Sequence, residues 1–139
     1  MKFREFKLRS GSKIFLGRDA ENNDLLMKKF EGKENIILHT NSPGSPFGVI
    51  DKIEPSKEDI QEGGIIVASY SQDWRDNRKN VLIDVFTGKD TSKPKGYKIG
   101  SWKVKRAKKI RIKKEDILQL EKEKNGTRTG STREKRNNR

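Results

Sequence analysis

Asn35–Ile50 reads N-I-I-L-H-T-N-S-P-G-S-P-F-G-V-I, with two short apolar runs, Ile36–Leu38 and Phe47–Ile50, on either side of a polar loop. The runs predict two strands joined through that loop. Pro43-Gly44 suits the central positions of a type II turn, because Pro presets φ and Gly supplies a positive φ. Such a loop loses conformational freedom unless a rigid scaffold holds it, and scaffolded loops are where binding groups collect. His39, the only histidine, stands where the first run meets the loop, with Ser42 and Ser45 close by. The stretch fits a plain strand–turn–strand unit as well as it fits a binding site.

Towards the N-terminus, Phe3, Phe6 and Leu8 interleave with charges, and Ser10-Gly11-Ser12 separates them from Ile14–Leu16. This pattern predicts a β-hairpin. A helix is expected to start at Asn22 or Asn23 as N-cap and to bury Leu26 and Phe30, with Leu25 and Met27 beside them. Towards the C-terminus, Ser56 and Asp59 approximate a capping box. The helix they open places Ile60, Gly64, Val67, Ser71 and Trp74 on one face. Gly63-Gly64 costs helix propensity, which predicts a close approach to the strands. Val81–Phe86 (V-L-I-D-V-F) reads as a strand, Ile99–Val104 and Ile110–Ile112 as two shorter ones, and Lys114–Lys124 as an exposed helix with a weak apolar stripe.

The expected order is therefore β-β-α-β-β-α-β-β-β. This implies an α+β fold in which a mostly antiparallel sheet carries two main helices on one face. At 139 residues the chain fits one domain, expected over 1–114, followed by a helix over 115–124. After Leu120 there is no Leu, Ile, Val, Phe, Tyr or Trp, so 125–139 is expected to form a disordered basic tail.

Lys and Arg number 33 against 20 Asp and Glu, a net charge of +13. A surface of that charge attracts polyanions, of which nucleic acid is the usual one for a soluble protein. The absence of cysteine excludes disulfides, thiolate catalysis and cysteine-based zinc sites, and one histidine excludes a multi-histidine metal centre. No apolar run is long enough to span a bilayer, and Met1–Ser10 is too charged for a signal peptide. A cytoplasmic protein without metal or organic cofactor is expected.

From Lys93 to Lys114 the chain carries a dense run of Lys and Arg with no acid. Lys93, Lys95, Lys98, Lys103, Lys105 and Arg106 belong to it, interleaved with Tyr97 and Trp102. Cations of this density favour phosphate contacts, and the aromatic residues favour stacking on unpaired bases, although Trp102 also suits a core. Tyr70, Ser71, Trp74 and Arg75 add aromatic, hydroxyl and cationic groups at the end of the second helix. Catalysis by His39 with Ser42 or Ser45 lacks a nucleophile elbow, and phosphate-loop glycine signatures are missing. A non-enzymatic protein is expected.

Gly17-Arg18 with Asn23-Asp24-Leu25-Leu26, His39 with Pro43-Gly44-Ser45, Ala68-Ser69-Tyr70-Ser71, and Lys93-Pro94-Lys95-Gly96 occur in order along the chain. Together they resemble the NFACT-R domain, the RNA-binding module of the NFACT proteins, over about Phe3 to Ile112. Those proteins are ribosome-associated quality-control factors that act with tRNA on stalled large subunits. The resemblance implies an α+β fold and binding to structured RNA, tRNA or ribosomal RNA, with the large ribosomal subunit as a partner. By position, Arg18, His39, Pro43, Gly44, Ser45, Tyr70 and Ser71 match the family's motif residues, and Lys95 and Gly96 match its basic loop. Ile37 and Pro46 stand where the family often has an aromatic residue and a second histidine. The chain is expected to be a stand-alone small form, with ribosome-associated quality control or translation as its setting. The competing expectation is an adaptor that presents tRNA to an RNA-modification enzyme such as a thiolation system.

Overall fold

The computed structural model describes residues 2–127. Of the disordered tail expected over 125–139, residues 128–139 lie outside the described residues, whereas 125–127 are helical and correct the expected boundary. The chain opens with a hairpin of β1 (Arg4–Lys7) and β2 (Lys13–Leu16), its turn closed by Leu8 N→Ser12 O at 2.7 Å and by Gly11 at φ +97°. Helix α1 (Ala20–Phe30), β3 (Ile36–Thr40), β4 (Gly48–Ile50), α2 (Lys57–Ser69), α3 (Gln72–Asn77) and β5 (Val81–Thr87) follow. A short 3-10 turn then leads into β6 (Thr91–Ser92), β7 (Lys103–Val104), β8 (Lys108–Ile112) and α4 (Lys114–Thr127). Six strands form one antiparallel sheet in the order β1-β2-β4-β3-β5-β8, while β6 and β7 pair as a separate ribbon. The α+β class, the antiparallel sheet and the element order agree with the sequence reading.

The two main helices do not share a face. Leu38, Ile50, Ile83 and Ile112 join Ile66 and Val67 of α2 in one core. Ile37, Val49 and Phe86 join Leu26, Met27 and Phe30 of α1 in another. Side chains alternate across a strand, so Ile37 and Leu38 necessarily point to opposite sides. Apolar residues at consecutive positions, as in I-I-L and V-L-I-D-V-F, mean burial on both sides of the sheet. That is why the expectation of one covered face fails.

Several boundaries also move. The N-cap of α1 is Asp19, whose Oδ1 accepts from Asn22 N at 2.9 Å, and the two asparagines lie inside the first turn. The Ser56–Asp59 capping box is present, with Asp59 also accepting from Ser10 Oγ at 2.7 Å. A Cβ on Gly63 would stand 2.9 Å from Leu38 Cδ1, and one on Gly64 2.9 Å from Ile112 Cδ1. The glycine pair is thus where α2 rests on the sheet.

The expected long second helix breaks at Ser71, whose hydroxyl donates to Ala68 O at 2.7 Å and accepts from Trp74 N at 3.1 Å. This local side-chain capping competes with continuation of the helix. Tyr70 and Trp74 still meet the same α2-side core, the former half-buried at its edge and the latter buried within it. Ile99–Val104 is not a continuous strand, since only Lys103–Val104 pairs, and it pairs with β6. Ile99 is 61% exposed. Helix α4 is no exposed appendage either, because Ile117 is fully buried in the α2-side core and Glu121 Oε2 accepts the Trp74 indole N–H at 2.8 Å. Among the described residues no helix is long and apolar enough to cross a membrane.

Candidate nucleic-acid interface

The β3–β4 connection is held from several sides. Gly44 takes φ +92°, its carbonyl accepts from Gln72 N at 2.7 Å, and a Cβ there would stand 2.8 Å from Gln72 Cβ. A side chain at this position would therefore meet both backbone strain and α3. Ser45 Oγ accepts from Thr40 N at 3.1 Å and donates to Pro46 O at 3.0 Å, while Thr40 Oγ1 donates to Ser42 O at 2.6 Å. The Ser45 hydroxyl is engaged within the turn. Phe47 N donates to the buried Asn23 Oδ1 at 3.1 Å, which ties the loop to α1.

His39 lies on the α1 side of the sheet with its ring against Phe47, centroids 4.3 Å apart. Its Nδ1 donates to the Thr40 carbonyl at 2.7 Å. A carbonyl only accepts, so the proton of the neutral ring resides on Nδ1. Burial pushes the imidazole below its ordinary pKa, outweighing the Thr40 carbonyl, Asp84 and the Ser45 backbone, which favour the charged form.

Directly opposite His39 on β5 stands Asp84, and opposite Asp84 on β8 stands Lys109. Asp84 accepts from Asn41 Nδ2 at 3.1 and 3.4 Å, and Lys109 Nζ is 3.8 Å away.

The facing wall is the segment 93–102, fastened to α1 through one carboxylate oxygen. Asp24 Oδ1 accepts from Lys93 Nζ at 3.0 Å, Gly100 N at 2.9 Å and Trp102 Nε1 at 2.9 Å. Partial burial alone would raise this carboxyl, but those hydrogen bonds and the Lys93 charge hold it below its ordinary pKa. Lys93 Nζ also donates to the carbonyls of Lys98 and Ser101.

Between the walls runs a groove of about 760 Å³. Of the residues singled out in the sequence, Arg18, His39, Pro43, Gly44, Ser45, Tyr70, Arg75, Lys98 and Trp102 line it. Stretches 17–18, 39–45, 70–75 and 98–102 thus converge. The others stand elsewhere. Ser71 is the buried cap of α3, and Lys93 is engaged with Asp24. Ser42, Lys95 and Gly96 are exposed outside the lining, as are Lys103, Lys105 and Arg106, the last paired with Asp90 at 3.3 Å.

The rim is cationic. Arg18 and Lys98 are exposed, Arg75 donates to Tyr70 O and Gln72 Oε1, and Arg4 stacks on Tyr70 with its guanidinium 4.8 Å from the ring centroid. Sequence reasoning missed Arg4, Asn41, Gln72 and Asp84. Only Asp84 carried a local signal, as the single acid within V-L-I-D-V-F. A larger cavity, about 830 Å³, lies between β1, α2 and α4 and contains none of the predicted residues. Its lining sets five acids, Glu58, Asp59, Glu62, Asp116 and Glu123, against four cations, Lys7, Arg9, Lys57 and Lys124, so a polyanion is better received in the cation-rimmed groove.

The chain is 31% identical over 68 residues to the archaeal Rqc2 homolog aRqcH of Methanocaldococcus jannaschii, a match covering 48% of this chain and 10% of that protein. The C-terminal part of the fibronectin/fibrinogen-binding protein of Streptococcus suis shares its fold, with a TM-score of 0.74 at 24% identity over 86% of this chain and 49% of the other. The chain thus spans about a tenth of that archaeal relative and about half of that solved chain. The family model of the NFACT protein RNA-binding domain matches residues 2–106, three quarters of the sequence, and the chain belongs to that family.

Proposed function

We propose that the protein is a non-enzymatic module that binds structured RNA, tRNA or ribosomal RNA, in the cytoplasm as part of ribosome-associated quality control or translation. The observation that carries this reading is the convergence of Arg4, Arg18, Arg75 and Lys98 around one groove in a chain of net charge +13. These cations suit phosphates, which supply affinity and register. The exposed Lys95, Lys103, Lys105 and Arg106 extend the basic surface beyond the groove. Lys93 and Ser71 support it from within, the first by holding the 93–102 wall and the second by capping α3.

The test is fluorescence anisotropy with labelled tRNA and with a ribosomal RNA fragment, repeated across salt concentrations, and crosslinking in cells with gradient sedimentation. Saturable binding with a steep salt dependence, and crosslinks to tRNA and ribosomal RNA in large-subunit fractions, are expected. Absence of RNA binding at low salt overturns the reading, and crosslinks to tRNA alone in light fractions overturn its ribosomal setting.

A further inference from the structure

We infer that the floor of this groove reads an unpaired guanine, whose adjacent N1–H and N2–H groups the Asp84 carboxylate accepts while the phosphates remain on the cationic rim. The inference rests on the RNA-binding reading and adds a base preference to it. Asp84 lies mid-strand on β5 with its side chain 24% exposed, lining the groove beside His39. A carboxylate there repels phosphate, so a nucleotide entering the groove turns its backbone to Arg18, Arg75 and Lys98 and its base to the floor.

The carboxylate has capacity to spare. Two oxygens offer about four acceptor positions. Within the protein they meet the Asn41 amide at 3.1 and 3.4 Å and Lys109 at 3.8 Å. The other groove carboxylate, Asp19, is engaged as the cap of α1.

Bases differ in what they show such a pair of oxygens. Guanine presents two N–H donors side by side, matching a carboxylate as the two arms of a guanidinium do. Adenine and cytosine place a ring acceptor next to their amine, and uracil has one N–H between two carbonyls, so each sets an acceptor against the second oxygen. Unpaired bases are commonly read on this edge while stacking on apolar or aromatic side chains. Ile99, 61% exposed, and Trp102 supply that surface on the facing wall.

The experiment measures binding of the full chain to labelled pentamers UUGUU, UUAUU, UUCUU, UUUUU and UUIUU at one salt concentration. The inosine pentamer keeps N1–H and lacks the N2 amine. The G pentamer is expected to bind about tenfold tighter than the A, C and U pentamers, with most of that preference lost for inosine. Asp84→Asn is expected to bring all five within about twofold of one another, with Asp84→Ser and thermal unfolding of both variants as checks on the fold. Equal binding of all pentamers by the unaltered protein, or a guanine preference that persists in folded Asp84 variants, overturns the inference and leaves RNA binding standing. Failure of every pentamer and of tRNA to bind overturns the RNA-binding reading as well.

Discussion

Asp24 Oδ1 accepts the indole N–H of Trp102 at 2.9 Å, joining α1 to a loop 78 residues further along the chain. Gly100 N and Lys93 Nζ reach the same oxygen, so one carboxylate positions the whole 93–102 wall. The arrangement also makes Lys93 a holder of the loop rather than a free cation of the surface.

Replacing Asp24 with Ala is expected to destabilise the protein by about 2 kcal/mol in urea denaturation, because a partly buried indole N–H and an ammonium lose an acceptor. RNA affinity is expected to fall as well, although an acid has been removed from a protein that binds a polyanion. Tighter RNA binding by the variant would show that Asp24 acts by simple charge repulsion instead of by positioning the wall.

Arg18, Arg75 and Lys98 are exposed on the groove rim. Each change to Gln is expected to weaken binding to all RNAs alike and to reduce the slope of log affinity against log salt by about 0.7 to 0.9. Anisotropy titrations at several salt concentrations check this. An unchanged slope in the triple variant would remove the groove from the phosphate path.

Glu121 links α4 to α3, accepting from Trp74 Nε1 at 2.8 Å and from Arg78 Nη2 at 3.2 Å, with the Arg78 guanidinium over the Trp74 ring. Burial alone would raise its carboxyl, yet the Trp74 and Arg78 hydrogen bonds and nearby cations hold it below the ordinary value. A carboxyl lowered in the folded state stabilises fully above its unfolded pKa, and this contribution disappears as pH falls through the folded one. Glu121→Gln is therefore expected to cost about 1 kcal/mol at pH 7 and to differ less from the parent at an acid pH below the folded pKa of the carboxyl. Trp74 fluorescence during urea unfolding at the two pH values is the measurement.

Gly88 sits where β5 passes the end of α1, with its N–H donating to Asn35 O at 3.3 Å and its carbonyl accepting from Gly32 N at 2.9 Å. A Cβ at this position would overlap the Phe30 carbonyl, and backbone cannot yield as a flexible side chain does. Gly88→Ala is expected to cost about 3 kcal/mol or more, read as a lowered denaturation midpoint. Gly96, also a loop glycine, would have open space around an added Cβ, so Gly96→Ala is expected to cost less, through its φ of +92° alone.

The parts of this protein legible in its sequence are those set over short distances. The Ser10-Gly11-Ser12 turn, the Ser56–Asp59 capping box and the close approach of Gly63-Gly64 follow from spacing and from what each residue type allows its own backbone. The antiparallel α+β class follows from strand and helix periodicity. The excess of positive charge is compositional, so it is present whatever the fold.

What the tertiary structure decided is which face each run presents and which charges stay free. The segment Lys93–Lys114 has no acid of its own, yet Asp24, Asp90 and Asp84 approach Lys93, Arg106 and Lys109 from other parts of the chain. Likewise Ile117 became core only when α4 settled on α2, and Asp84 became groove floor only when β5 paired with β3 in the register His39↔Asp84. A one-residue slip of that register would send Asp84 to the opposite side of the sheet. Turns and caps depend on neighbours a few residues away, whereas facing and charge pairing depend on strand register between segments tens of residues apart, which no local pattern encodes.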